Sequence, residues 1–188
     1  IVNIFDLKSF GKKPIEKSLK IPVIIMAGGR GTRLQPSTHV LPKPLIPLKG
    51  KAIIEHIISE FKNYGVEDYF ISINYKSLLI KAFFSELKFN FKIKYLKEKK
   101  PLGTAGSLKL LEKFKLKDFI VINCDTIIKT DFNEFLKFHE KNKNDISVIG
   151  AVNKLEIPYG VCEINKSQKL KKIDEKPKID FLSNTGCY

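Results

Sequence analysis

"IIMAGGRGTRLQP", Ile24 to Pro36, carries an apolar run straight into three glycines, two arginines and a proline. An unbroken apolar run fits a strand covered on both faces. The glycines after it let backbone approach a phosphate in conformations barred to other residues, and Arg30 and Arg33 add cationic donors. A tight strand-to-helix connection would also use glycines. No Gly-Lys-Ser/Thr of a phosphate loop follows, and the third glycine of the dinucleotide fingerprint is missing. From these residues alone the stretch is an anion-binding loop.

Two further runs resemble the first: "YFISIN" (69–74) and "FIVINC" (119–124) are also short and continuously apolar, and with "PVIIMA" (22–27) they predict strands of a parallel sheet. Helical stripes separate them. Ile53, Ile54, Ile57, Ile58 and Phe61 form one, Leu108, Leu111 and Phe114 a second, and Phe132, Phe135, Leu136 and His139 a third. Leu79, Ile80 and Phe83 predict a weaker helix before the extended run "FKIKYL" (91–96). Strand alternating with helix predicts an α/β fold, an open, mostly parallel Rossmann-like sheet with helices on both faces. After Asp145 the pattern changes to short strands, "ISVIGAV", "GVCEIN" and "LKKIDEK", which predict a strand-rich second part. Sheets of this kind bind ligands at the carboxyl ends of their strands, where the glycine loop lies.

Composition narrows the partners. With 188 residues and 43% hydrophobic content the chain can bury one sizeable core. Thirty-four Lys and Arg against 20 Asp and Glu give a formal charge of +14 and a pI near 9.6, which favours anionic partners. The lysines are spread along the chain and lack the clustered basic-aromatic pattern of a nucleic-acid groove, so most read as solvated faces. Cys124, Cys162 and Cys187 are too few and too scattered for a disulfide framework or a zinc knuckle, which fits a reducing, cytoplasmic setting. No apolar run reaches membrane-spanning length, and the first residues lack the pattern of a secretion signal. Residues 1–20, Lys-rich with Gly11 and Pro14, predict a linker or the tail of a preceding domain, with order beginning at Ile21 and a second unit over 21–188. The missing initial methionine and the end at Tyr188, within an apparent strand, predict a piece of a longer protein, incomplete at its C-terminus.

The longer string "MAGGRGTRLQPSTHVLPKPLIPLKGK", Met26 to Lys51, closely resembles the signature of the sugar-nucleotide pyrophosphorylases, nucleotidyltransferases that join a nucleoside triphosphate to a sugar 1-phosphate. The double glycine, Gly-Thr-Arg-Leu, the spaced Pro and Thr, and Pro-Lys-Pro-Leu all match. "PLGTAGSL" (101–108), "INCDTII" (122–128), "PYGVCEI" (158–164), "DEKP" (174–177) and "NTGCY" (184–188) follow in the family's order, so the resemblance covers Pro22 to Tyr188. The leading segment, "EHIISEF" and "SINYK" look most like the branch in which a CBS regulatory module precedes the transferase, a branch that serves guanylyl transfer and surface-sugar synthesis.

The resemblance implies that a sugar-phosphate oxygen attacks the α-phosphorus in line and pyrophosphate leaves, which requires positioning and charge neutralisation rather than a covalent nucleophile. It implies nucleotide contacts from Ala27, Gly28, Gly29, Gly31, Thr32, Gly103 and Thr104. Arg33 would hold the β- and γ-phosphates, and Lys43 would lie near the α-phosphate. Asp125, at a strand end, would ligate Mg2+, a hard cation that prefers oxygen and bridges phosphates. A second metal carboxylate of the family falls beyond Tyr188. Gly160, Glu175, Lys176 and Asn184 would line the pocket for the sugar phosphate, in the strand-rich part. Relatives commonly associate, so a homo-oligomer is also implied.

Glu98 stands where related thymidylyltransferases carry a base-reading glutamine. Guanine presents N1–H and a 2-amino group side by side, which one carboxylate can accept together, whereas uracil and thymine offer a single N3–H flanked by acceptors. Glu98 therefore predicts GTP; the alternative is a solvated charge among Lys97, Lys99 and Lys100. The sugar stays open among mannose, glucose, glucosamine and heptose 1-phosphates. A uridylyl- or thymidylyltransferase is the rival within the family. A nucleic-acid-binding domain, with steeply salt-dependent affinity, and a catalytically silent nucleotide sensor are rivals of other classes.

Overall fold

The structure is a computed structural model that describes residues 2–6 (backbone path), 18–87, 91–98, 100, 102–103 and 105–188. Its strands in chain order are β1 (Val2–Asp6), β2 (Val23–Met26), β3 (Pro47–Leu48), β4 (Lys51–Ala52), β5 (Asp68–Ile73), β6 (Lys92–Lys97), β7 (Ile120–Asn123), β8 (Ile146–Glu156), β9 (Val161–Ile164), β10 (Leu170–Asp174) and β11 (Lys178–Asn184). The α-helices are α1 (Ile53–Asn63), α2 (Ser77–Glu86) and α3 (Phe132–Lys141).

The three apolar runs form β2, β5 and β7, and with β6 they make a parallel sheet in the order β6-β5-β2-β7. Both faces are covered, which is why the runs lack alternation. Val23, Ile25, Tyr69, Ile71 and Ile122 pack with Ile54, Ile57 and Phe61 of α1, Ile80 of α2 and Phe132 of α3. Ile24, Phe70, Leu96 and Val121 point the other way, against Leu111 of a 3-10 helix, Gly106–Phe114.

That division follows from the path of the chain. From β2 it moves outward through α1 to β5 and through α2 to β6, then returns past all three to β7. Right-handed crossovers in opposite directions must use opposite faces of the sheet. Helices therefore cover both faces, as the sequence predicts, although the stripe Leu108, Leu111, Phe114 winds as a 3-10 rather than an α-helix. Its spacing of three is the 3-10 period, in which residues i and i+3 eclipse.

The strand-rich part begins with β8, which pairs with β11 in antiparallel register, while β9 and β10 form a separate antiparallel ribbon. Residues 186–188 bridge the two sheets: Tyr188 and Val121 exchange backbone hydrogen bonds of 2.8 and 2.9 Å, and the Ile149 N–H donates to the Cys187 carbonyl at 3.0 Å. Order does not begin at Ile21. Val2–Asp6, inside the segment expected to be a linker, pairs in parallel with Ile146–Gly150, and Leu19 is 3% exposed, its N–H donated to the Tyr64 carbonyl at 2.7 Å. Apolar Val2 and Ile4 at alternate positions suit a strand, and Leu19 with Ile21 completes the α1 side of the core.

Candidate active site

The four parallel strands end on one edge. Met26 stands level with Ser72 and Asn123, and Ile73 with Lys97. The glycine turn after β2, Glu98 after β6 and Asp125 after β7 therefore gather at the carboxyl edge. Strand order reverses between β2 and β7, which opens a crevice there. A cleft of about 460 Å³ occupies it, lined by Gly28, Gly29, Gly31, Thr32, Arg33, Lys43, Ser72, Glu98, Gly103, Asn123, Cys124 and Asp125. A larger cavity, about 540 Å³, lies between β7, α3 and β8 against Phe119, Leu136 and Val148, and holds none of the expected site residues.

Two of the glycines answer to specific geometry. Gly31 has φ +66°, and a Cβ there would lie 2.9 Å from Thr38 Cγ2 and 3.1 Å from Lys43 Cβ. Gly28 has no room either, since its Cβ would sit 2.7 Å from Glu98 Oε1. After Gly31 the chain winds into a 3-10 turn, Thr32–Leu34, that carries Arg33 to the cleft.

The loop is strapped to the start of α2. Thr38 is buried and donates from Oγ1 to the Gly31 carbonyl at 3.0 Å; the Tyr75 hydroxyl donates to the Thr38 carbonyl at 3.3 Å. Lys76 Nζ donates to the His39 and Val40 carbonyls at 2.5 and 2.7 Å. Pro42 then fixes an extended entry to a further 3-10 turn, Lys43–Leu45, whose Pro44 and Leu45 are buried. With that turn anchored, Lys43 faces the cleft and its Nζ pairs with Asp125 Oδ2 across 82 positions of sequence. This pair is the main electrostatic feature of the site.

Glu98 is not a solvated charge. It is 7% exposed, with Oε1 accepting from the Ser72 hydroxyl at 2.5 Å and Oε2 from the Leu102 N–H at 3.1 Å. Its backbone is held as well, the N–H by the Ile73 carbonyl at 3.1 Å and the carbonyl by Asn74 Nδ2 at 3.0 Å. Cys124 borders the cleft, but burial pushes its thiol up to about 12, with Lys43 opposing, so it stays protonated and is no nucleophile at neutral pH.

Of the expected nucleotide and catalytic residues, Gly28, Gly29, Gly31, Thr32, Arg33, Lys43, Glu98, Gly103 and Asp125 line the cleft. Ala27 is buried just beneath, donating its N–H to the Ser72 carbonyl at 3.1 Å; Thr104 lies outside the described residues. The four sugar-side residues are not drawn in. Gly160, Glu175 and Lys176 sit on the exposed β9–β10 ribbon and its exit, where a Gly160 Cβ would come 3.0 Å from Glu175 Oε2. Asn184 shapes the turn after β11, donating to the Tyr188 hydroxyl at 2.7 Å and accepting from the Gly186 N–H at 2.8 Å. The Asn123 N–H, at the cleft, donates to the Gly186 carbonyl at 3.0 Å, so the turn that Asn184 shapes is joined to the cleft through the backbone.

Sequence reasoning missed Ser72, Asn123 and the Thr38–Tyr75–Lys76 strap. A signal existed for Ser72, the one serine inside the otherwise aromatic and aliphatic run "YFISI". Nothing local marked the strap.

The chain is similar to known proteins in sequence and in fold. Residues 22–188 match the family described as Nucleotidyl transferase. This chain belongs to that family. It is 37% identical over 177 residues to the mannose-1-phosphate guanyltransferase of Hypocrea jecorina, a match covering 88% of this chain and 48% of that protein. It is 35% identical over 171 residues to the bifunctional protein GlmU of Methanococcus maripaludis, covering 88% of this chain and 39% of that one. The chain thus spans about half, or less, of the length of these curated relatives. Among solved structures, HddC from Yersinia pseudotuberculosis complexed with GMP-PN superposes with a TM-score of 0.66 at 27% identity, over 89% of this chain and 75% of that one. A putative glucose-1-phosphate thymidylyltransferase from Bacillus anthracis gives 0.61 at 27%, over 89% and 70%. Among the described residues of the nucleotidyl transferase chain, no three His, Cys, Asp or Glu cluster as a metal site, and no helix is long and apolar enough to cross a membrane.

Proposed function

We propose that this chain carries the nucleotide-handling part of a sugar-1-phosphate nucleotidyltransferase that prefers GTP. The observation that carries the reading is the convergence of Arg33, Lys43 and Asp125 around the glycine turn at the switch point of the sheet. The sugar-phosphate oxygen forms a bond to the α-phosphorus of the nucleotide as the bond from that phosphorus to the β-phosphate bridging oxygen breaks. Pyrophosphate leaves with the electron pair. The phosphate oxygen is already ionised, so no general base is needed.

In this reading Arg33 pairs with the β- and γ-phosphates, and Lys43 turns from Asp125 toward the α-phosphate, where charge accumulates in the transition state. Asp125 is a partly exposed carboxylate at the cleft, suited to a hard cation that takes one or two carboxylates and completes its shell with phosphate oxygens and water. Mg2+ held there would neutralise phosphate charge. Gly28 and Gly29 present backbone to the phosphates. Gly160, Glu175, Lys176 and Asn184 are proposed to reach the sugar phosphate when both substrates are bound.

Burial of Glu98 beside the glycine turn supports guanine over a pyrimidine, as do the names of the guanyltransferase relatives and of the HddC complex with GMP-PN. The thymidylyltransferase neighbour favours the second reading, a pyrimidine nucleotide. A cytoplasmic role in nucleotide-sugar supply for surface glycans, a CBS-type regulatory module in the full-length protein, and self-association complete the proposal. The test is pyrophosphate release by the full-length protein over a grid of GTP, UTP, dTTP and CTP against sugar 1-phosphates with Mg2+. Turnover with GTP supports the proposal; clear preference for UTP or dTTP ends the guanine reading, and no release with any pair ends the enzymatic one.

A further inference from the structure

Ser72 is completely buried in a strand whose other inward residues are apolar, and a buried hydroxyl is costly unless it is hydrogen-bonded. Its one donor goes to Glu98 Oε1 at 2.5 Å. Strand alternation explains the meeting. Ser72 follows Phe70 by two residues and Glu98 follows Leu96 by two, and Phe70 and Leu96 both face the 3-10 helix side. The two polar residues thus continue one apolar row to the edge where the cleft begins.

Glu98 has little freedom left. Its backbone is fixed on both sides, the Leu102 N–H holds Oε2, and the Gly28 backbone closes the space next to Oε1. The hydroxyl and the missing Gly28 side chain act on the same oxygen, one by attraction and one by leaving room. A carboxylate oxygen has two lone-pair directions, so each Oε bound to the protein keeps one to offer a ligand in the cleft.

We infer that Ser72 is a positioning residue that aims the Glu98 carboxylate at the base, so that recognition of guanine depends on a buried hydroxyl that does not itself touch the nucleotide. The inference rests on the guanine reading above. A charge-assisted hydrogen bond fixes the carboxylate rotamer, and both of its oxygens must be presented together to accept N1–H and the 2-amino group of guanine.

Inosine triphosphate separates the two ideas. It keeps the triphosphate, the ribose and N1–H and lacks only the 2-amino group, so phosphate contacts cancel in the ratio of GTP to inosine triphosphate affinity. Dissociation constants with Mg2+ would be measured by calorimetry on the full-length protein and on Ser72→Ala, Gly28→Ala and Glu98→Gln. Wild type should favour GTP by about tenfold or more, the size of one hydrogen bond to a charged group. Ser72→Ala should cut that ratio at least fivefold while inosine triphosphate affinity changes less than about threefold. Gly28→Ala, which displaces Oε1 from the other side, should cut the ratio likewise, and decides the matter if Ser72→Ala does not fold.

A wild-type ratio near one removes the guanine reading and this inference with it. A wild-type preference lost in Glu98→Gln but kept in Ser72→Ala leaves the guanine reading standing and overturns the role of Ser72. Equal loss of both nucleotides in Ser72→Ala makes Ser72 merely structural, which also overturns it.

Discussion

Replacing Lys43 with alanine separates catalysis from folding. Lys43 and Asp125 form an ion pair with side chains 23% and 38% exposed. At that exposure solvent screens the attraction, and such pairs contribute no more than about 1 kcal/mol to stability. For a chain of this size that corresponds to a melting shift of about 2–4 °C at most. The proposed role in the reaction is of a different size. Removing a donor aimed at charge that develops in the transition state typically costs about 10²- to 10³-fold in turnover. Lys43→Ala should therefore melt within about 4 °C of wild type yet release pyrophosphate at least 100-fold more slowly under saturating substrates. Calorimetric melting and a coupled pyrophosphate assay on the same preparation of full-length protein give both numbers. Turnover within about threefold of wild type would remove Lys43 from the mechanism, and a melting drop beyond about 8 °C would make it a structural lysine.

Other consequences are as direct. Asp125→Asn should abolish turnover while leaving the melting temperature nearly unchanged, and wild-type rates would refute its assignment. Gly31→Ala forces a side chain at φ +66° into Thr38 and Lys43, so nucleotide KM should rise several-fold; an unchanged KM would mean that the loop adapts freely. Lys76→Met removes two donors from the loop carbonyls and should raise nucleotide KM more than it lowers kcat, which steady-state kinetics would show. Cys124 and Cys187 are both pushed by burial from 9.0 to about 12. Their raised native values favour folding fully below pH 9, and that contribution is lost as pH climbs toward 12; Cys124→Ala/Cys187→Ala should flatten the fall in melting temperature above pH 9.

What could be read from the sequence is what local pattern controls. Ile24, Phe70 and Val121 face one layer and Ile25, Ile71 and Ile122 the other, and burial on both faces leaves an apolar run that needs no tertiary information to recognise. The glycine turn and Asp125 are legible because each follows such a run at its carboxyl end. Contacts between distant segments were not legible. Lys43 meets Asp125 from 82 residues away and Lys76 ties down a loop 36 residues earlier, and neither spacing carries a period. Glu98 shows the limit most sharply. Its place five residues before Gly103 marks it as a base-reading candidate, but the flanking lysines leave a solvated charge equally open; what buries it is Ser72 on β5 and Gly28 in the turn after β2, both remote in sequence. Val2–Asp6 escaped notice because its partner, Ile146–Gly150, lies at the far end of the chain.

The central claim is that the crevice between β2 and β7 seats a nucleoside triphosphate. Crystals of the full-length protein soaked with GTP and Mg2+ test it most directly. The account predicts electron density for the triphosphate over Gly28–Gly31, with Arg33 on its terminal phosphates, Lys43 released from Asp125 and the base beside Glu98. Nucleotide bound in the apolar cavity by α3, or a crevice still empty at saturating ligand, would contradict it.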